Sequence, residues 1–157
     1  MDMLKKWFRK SASYTKYFGI CCRFWKYDNL YILQTDYDES ILRNYNFKRY
    51  NDIDLMDKMY INISLNEIKC AYQVHTFCIY KHGKYEVENI VRDIAFLYPT
   101  LETKQKLGLY YKDDRRLEID YNEFIKDVED IWEERTSIDG FVFDVEPVYH
   151  INKEKLI

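Results

Sequence analysis

The spacing of hydrophobic and polar positions changes several times along these 157 residues. Leu4, Trp7 and Phe8 fall at helical spacing, with Lys5, Lys6, Arg9 and Lys10 around the rest of the wheel. This predicts a short basic amphipathic helix over 3–10, peripheral to the fold within residues 1–12, its apolar side packed on the core. From Ile20 the period drops to two. Ile20, Cys22 and Phe24 alternate with Cys21, Arg23 and Trp25; after Asp28-Asn29, Leu30 and Ile32 alternate with Tyr31 and Leu33. That pattern predicts a hairpin turning at Asp28-Asn29. A weak helix is expected over 39–50, interrupted by Asn44 and Asn46, and a second helical piece over 53–60.

Ser64-Leu65-Asn66-Glu67 has the form of a capping box, in which Ser and Glu satisfy free backbone donors at a helix start. Residues 71–80 are rich in Tyr, Val, Thr, Phe and Ile, which favours a strand followed by a turn over 81–84, although Leu65, Ile68, Tyr72, His75 and Ile79 also share a helical stripe. Val87, Ile90, Val91, Ile94 and Leu97 predict a helix stopped by Pro99. Residues 108–119 read as a strand pair around 112–114. Tyr121, Phe124, Ile125, Val128, Ile131 and Trp132 then form one apolar face of a helix that starts at Asp120 and runs to about Arg135. Asp139-Gly140 marks a turn, and Phe141, Phe143 and Val145 predict a last strand halted by Pro147.

These elements define an α+β chain: a single compact domain over 1–157, mostly antiparallel sheet packed with three to four helices. The composition agrees, being 47% apolar and 18% aromatic, enough to bury a core. Four Gly and two Pro are few turn formers, which argues against a many-stranded sandwich with tight turns. Four cysteines are too few for a disulfide framework, so reduced thiols are expected. No apolar run reaches the length of a membrane span, and Ser11, Ser13, Thr15 and Lys16 interrupt what would be the core of a signal peptide. Stable membrane insertion is therefore not expected, and a cytoplasmic address is.

Charge sharpens the picture at the two ends. Residues 1–30 carry seven basic side chains against two acids, and residues 112–157 carry fourteen acids against seven bases, although the net charge is only −3. On the predicted helix Glu123, Asp127, Asp130 and Glu134 line up opposite the apolar face. Like charges at these spacings cost a helix about 0.2–0.5 kcal/mol per pair, so a stripe of this kind works against the helix that carries it. With Asp113, Asp114, Glu118 and Asp139 in flanking segments, and Tyr110 and Tyr111 as aromatic anchors, it forms a candidate surface for a basic partner. The competing reading is an ordinary solvated face. The basic N-terminal segment is a candidate for a membrane surface or a nucleic-acid backbone, but it lacks apolar length for the first and stacking aromatics on a sheet for the second. No nucleic-acid partner is expected for the protein; the charge of this segment can also attract the chain's own acidic half.

Catalytic alternatives are thin. His75, Cys78 and His82 would share a helical face and could hold zinc, but a strand would point His75 and Cys78 to opposite sides. Glu67 and Lys69, with Asp52, Asp54 or Asp57 upstream, have the letters of a metal-dependent nuclease, although Glu67 already has a capping role. No phosphate-binding Gly loop or nucleophile elbow is present. No cofactor, metal or catalytic set is expected.

Leu109-Tyr110-Tyr111-Lys112-Asp113-Asp114-Arg115-Arg116-Leu117-Glu118-Ile119 resembles a late strand pair in immunity proteins of bacterial contact-dependent growth inhibition systems. Glu134-Arg135-Thr136-Ser137-Ile138-Asp139-Gly140, with 122–125 ahead of it, is similar to the helix end and turn that follow there. The resemblance covers under a fifth of the chain. It implies a small cytoplasmic α+β protein, not an enzyme, that binds a cognate toxin domain, often a nuclease, and blocks it. The expected partner is accordingly that toxin or another basic protein.

Overall fold

The structure, a computed structural model, describes residues 7–36, 42–112 and 115–156. Among these the chain divides into two compact units, one of residues 12–73 and 136–145, the other of residues 7–11, 74–135 and 146–157.

The first unit contains β1 (Ala12–Tyr17), β2 (Ile20–Tyr27), β3 (Leu30–Asp36), β4 (Lys48–Arg49) and β5 (Lys58–Ser64). They pair antiparallel in the order β4-β5-β3-β2-β1. The period-two pattern does what it predicted in β2 and β3: Cys22, Phe24 and Leu33 face inward with Met59 and Ile63 from β5. Leu42, Phe47, Ile68 and Ala71 cover this layer. Burying side chains of this size contributes about 1.5–3 kcal/mol each. The Asp28-Asn29 turn is present, with Asp28 at φ 58°. The capping box also forms, on a 3₁₀ turn at Leu65–Glu67: the Ser64 backbone N–H donates to Glu67 Oε2 at 2.8 Å.

The second unit contains the greater part of β6 (Tyr72–Tyr80), then β7 (Gly83–Val91), β8 (Ile94–Pro99) and β9 (Leu117–Asp120), paired in that order. β10 (Val128–Ser137) pairs with β6 and with β11 (Val148–His150). Two helices, α1 (Leu101–Lys106) and α2 (Tyr121–Asp127), complete it. Its core is Cys78, Tyr80, Tyr85, Val87, Ala95, Leu97 and Ile119 from the sheet, closed by Tyr121, Phe124 and Ile125 of α2 and by Val128 and Ile131 of β10. Trp7 and Phe8 pack against it, and Trp7 Nε1 donates to the Tyr121 hydroxyl at 3.0 Å.

The expected fold class needs correction. The molecule is mostly antiparallel sheet, with only two α-helices among the described residues in place of three to four. The helix predicted around 87–97 is the hairpin β7–β8. A bulge between Val87 and Asn89 shifts the register, so inward positions Val87 and Ile90 lie three apart and imitate a helical repeat. The helix predicted to Arg135 ends at Asp127, and Val128 turns extended into β10. Of the predicted basic helix, residues 7–10 are not helical and 1–6 lie outside the described residues. Of the weak helix over 39–50, the described part forms a 3₁₀ turn at Arg43–Tyr45 and then β4; the piece over 53–60 is a 3₁₀ turn, Ile53–Leu55, followed by the start of β5. The last strand lies beyond Pro147, and 141–145 has only an isolated parallel bridge from Val142 to Cys70.

The scarcity of glycine misled because four hairpins turn on two residues each, mostly without it. Phe18, Asp28, Lys81, His82, Arg92 and Asp93 all take positive φ, between 47° and 68°. Such turns match the right-handed twist of the strands they join, and each non-Gly residue held there costs about 1–2 kcal/mol.

Candidate partner-binding surface

Because α2 stops at Asp127, the predicted acidic stripe divides. Glu123 and Asp127 remain one turn apart on the exposed side of α2, whose buried residues are Tyr121, Phe124 and Ile125. Asp130 and Glu134 move onto β10, where the period is two. Ile131 points into the core and Glu133 is buried on the same side, so Asp130, Trp132 and Glu134 share the opposite face. There the chain's own groups engage the acids: Glu134 lies 3.5 Å from Lys84 Nζ and accepts from Trp132 Nε1 at 3.2 Å, and Asp130 lies 3.3 Å from His150 Nδ1.

Glu118 is exposed on β9, opposite Phe96 of β8. Tyr110 and Tyr111 follow α1, both exposed, with ring centroids 4.7 Å apart. Asp139 sits in the turn at 139–140 of the first unit, and Asp113 and Asp114 lie outside the described residues. Of the candidate acids, Glu118, Glu123, Asp127 and, in the first unit, Asp139 keep no ion-pair partner among the described residues. Asp120 is exposed as well, but accepts from the Asn122 backbone N–H at 3.0 Å as the α2 cap.

The open face of the second unit's sheet was not foreseen. It carries a set of rings, each met by a cation of the same chain. Lys84 Nζ sits 4.6 Å from the Phe77 ring and 5.6 Å from Trp132, Arg116 lies 4.9 Å over Phe96, and Lys104 Nζ lies 4.5 Å from Tyr98. Lys104 is 5% exposed and donates to the Tyr98 hydroxyl and the Tyr111 carbonyl at 2.9 and 3.2 Å, which holds the tyrosine loop on the sheet. Glu86 is the hub of this face: its Oε1 takes the Ser11 hydroxyl at 2.5 Å and lies 2.9 Å from His75 Nδ1. Glu86 and Tyr98 line both of two shallow cavities, of about 390 and 240 Å³. The alternation Lys84, Glu86, Glu88 is the signal that would have revealed the face, had 87–97 not read as helical.

The most constrained carboxylate is Glu133. Its side chain is 4% exposed; Arg9 donates to Oε2 from Nε at 2.8 Å and to Oε1 from Nη2 at 2.6 Å, and Arg135 donates twice to Oε1 at 3.1 and 3.0 Å. Burial pushes the carboxyl up, but the hydrogen bonds and charge of Arg9, and then of Arg135, outweigh it and hold the group below its ordinary value. One cation of the basic N-terminal end is thus bound by an acid of the acidic end, as the charge pattern allowed.

The zinc alternative comes apart in space. On β6, Cys78 faces the core while His75 faces outward, and the His82 side chain is 93% exposed in the turn beyond. No group of three potential metal ligands occurs among the described residues. Glu67 is occupied by the capping box, accepting from both the Ser64 N–H and hydroxyl. No family model matches the chain, and no curated protein or solved structure is significantly similar to it.

Proposed function

We propose that this is a non-catalytic protein-binding protein of the immunity type, which neutralises a cognate toxin domain by engaging its basic surface. The observation that carries the reading is a group of exposed acids in the second unit, Glu118, Glu123 and Asp127, that have no ion-pair partner among the described residues. Other acids of that unit are taken up by the chain's own cations or histidines: Glu88 by Arg116, Glu129 by His82, Asp130 by His150, Glu133 by Arg9 and Arg135, Glu134 by Lys84. An acid without such a partner projects its field into solvent, steers a basic partner and selects against acidic ones. The exposed pair Tyr110 and Tyr111 supplies the amphipathic ring area that anchors protein interfaces.

The test is co-expression with the carboxy-terminal domain of the polypeptide encoded immediately upstream. The intact chain should restore growth. E118K/E123K/D127K should slow association with that domain and make it less dependent on salt. Failure of the well-folded intact chain to protect would reject the reading; unchanged association of the triple variant would reject this surface.

A further inference from the structure

We infer that the outer face of the first unit's sheet is a binding surface for single-stranded nucleic acid. It goes beyond the protein-binding role proposed above and uses none of the same residues. The face follows from strand register. Tyr14 lies opposite Arg23, Arg23 opposite Gln34, Gln34 opposite Tyr60, and Tyr60 opposite Lys48, so one row crosses all five strands on the side opposite Cys22, Phe24 and Leu33; within it Tyr14 and Gln34 are buried and Lys48 is exposed. One pleat along, Trp25 lies opposite Ile32, and at the hairpin end Tyr27 lies opposite Leu30. Lys16 opposite Cys21 lies on the other flank.

Two properties set this face apart. First, three of its cations lack counter-charges. Lys16, Arg23 and Lys48 have no carboxylate partner among the described residues, and the buried Nε of Arg23 has no acceptor among them. Asp36, the acid on the same face, is already held by Lys58 at 2.5 Å. Second, its outermost rings are uncapped. Trp25 is 38% and Tyr27 69% exposed, and neither has a cation over it among the described residues. On the second unit's open face the four corresponding rings are each met by the chain's own Lys or Arg. Unpaired cations demand anions; exposed rings on a sheet accept flat partners. A chain of phosphates bearing unstacked bases supplies both, whereas a duplex keeps its bases stacked away from the rings. What the basic segment at 3–10 lacked, rings on a sheet, is present here.

The test uses the full chain and a fluorescein-labelled oligothymidylate of about twelve nucleotides, within the usual site size of a single-strand-binding face. Anisotropy should report binding at low salt, with a slope of log K against log salt near about −2, as expected for three phosphate contacts. W25A and Y27A, both at exposed positions, should each weaken binding by about tenfold with the slope retained. K16E/K48E should flatten the slope, and tryptophan quenching by the oligonucleotide should disappear in W25A. No binding at low salt overturns the proposal, as does unchanged affinity in W25A/Y27A. Binding to phosphatidylserine vesicles in place of the oligonucleotide overturns it in favour of a membrane surface. Since E118K/E123K/D127K leaves this face intact, failure here and failure of the protein-binding reading are separately visible.

Discussion

Removing the carboxylate of Glu133 tests how the second unit is held together. Glu133 is buried between Arg9 and Arg135 and receives four charge-assisted hydrogen bonds. It ties residue 9 to a strand 124 positions away, and Trp7 and Phe8 dock beside it on the same core. In E133Q both guanidinium groups keep their charge and lose this buried counter-ion, and breaking a buried pair costs about 3–5 kcal/mol. In R9A the carboxylate keeps Arg135 on Oε1 but loses its partner on Oε2, so the expected cost is smaller, about 2–3 kcal/mol. Against a domain stability of about 5–15 kcal/mol either change is large. The double variant should be strongly non-additive, because both substitutions remove one interaction. Urea unfolding followed by tryptophan fluorescence is the natural assay, since Trp7 and Trp132 both lie in this unit. The effect must also depend on pH with a definite sign. A carboxyl held below its ordinary value contributes stability that is fully present above the unfolded-state value, 4.5, and is lost as pH falls through the lower folded-state value. The gap between wild type and E133Q should therefore be widest near neutrality and close in that acid range. A gap under about 0.5 kcal/mol at pH 7, typical of an inconsequential surface change, or a gap that stays constant down to pH 3, would refute the argument.

Three further outcomes are expected. Replacing Lys81-His82 by Asn-Gly should stabilise the chain by about 1–2 kcal/mol in thermal or urea melts, because both residues now occupy positive φ without the freedom glycine has there. G83A should destabilise by about 1–3 kcal/mol, since an added methyl would meet the Tyr85 ring at 2.9 Å and the Thr103 methyl at 3.1 Å; an unchanged melt would show that the ring can move aside. In thiol titration at pH 8, exposed Cys21 should react rapidly, while burial pushes Cys22 and Cys78 up to about 12 and keeps them unreactive until the protein unfolds.

The local sequence determined those features whose physics is local. Alternation of Cys22, Phe24 and Leu33 with solvent-facing neighbours specified β2 and β3. Asp28-Asn29 specified their turn, Ser64 and Glu67 a cap, and Asp120 the start of α2, because each needs only residues within a few positions. Tertiary structure decided the rest. Val87 and Ile90 look helical because a bulge displaces one strand by a residue against its partner, and the partner is absent from any local pattern. Val128 to Ser137 has apolar spacing compatible with either structure; pairing with β6 and β11 makes it a strand. That choice divides the acidic stripe, leaving Glu123 and Asp127 in solvent, burying Glu133 against Arg9 and placing Glu134 on Lys84. Composition hid the tight turns, since Lys81-His82 and Arg92-Asp93 take positive φ only because the strands they join hold them there. The sequence alone therefore carried the amount and sign of charge. Which charges are consumed within the fold and which remain for a partner depended on strand pairing, because ion pairs form between residues that only the folded chain brings together.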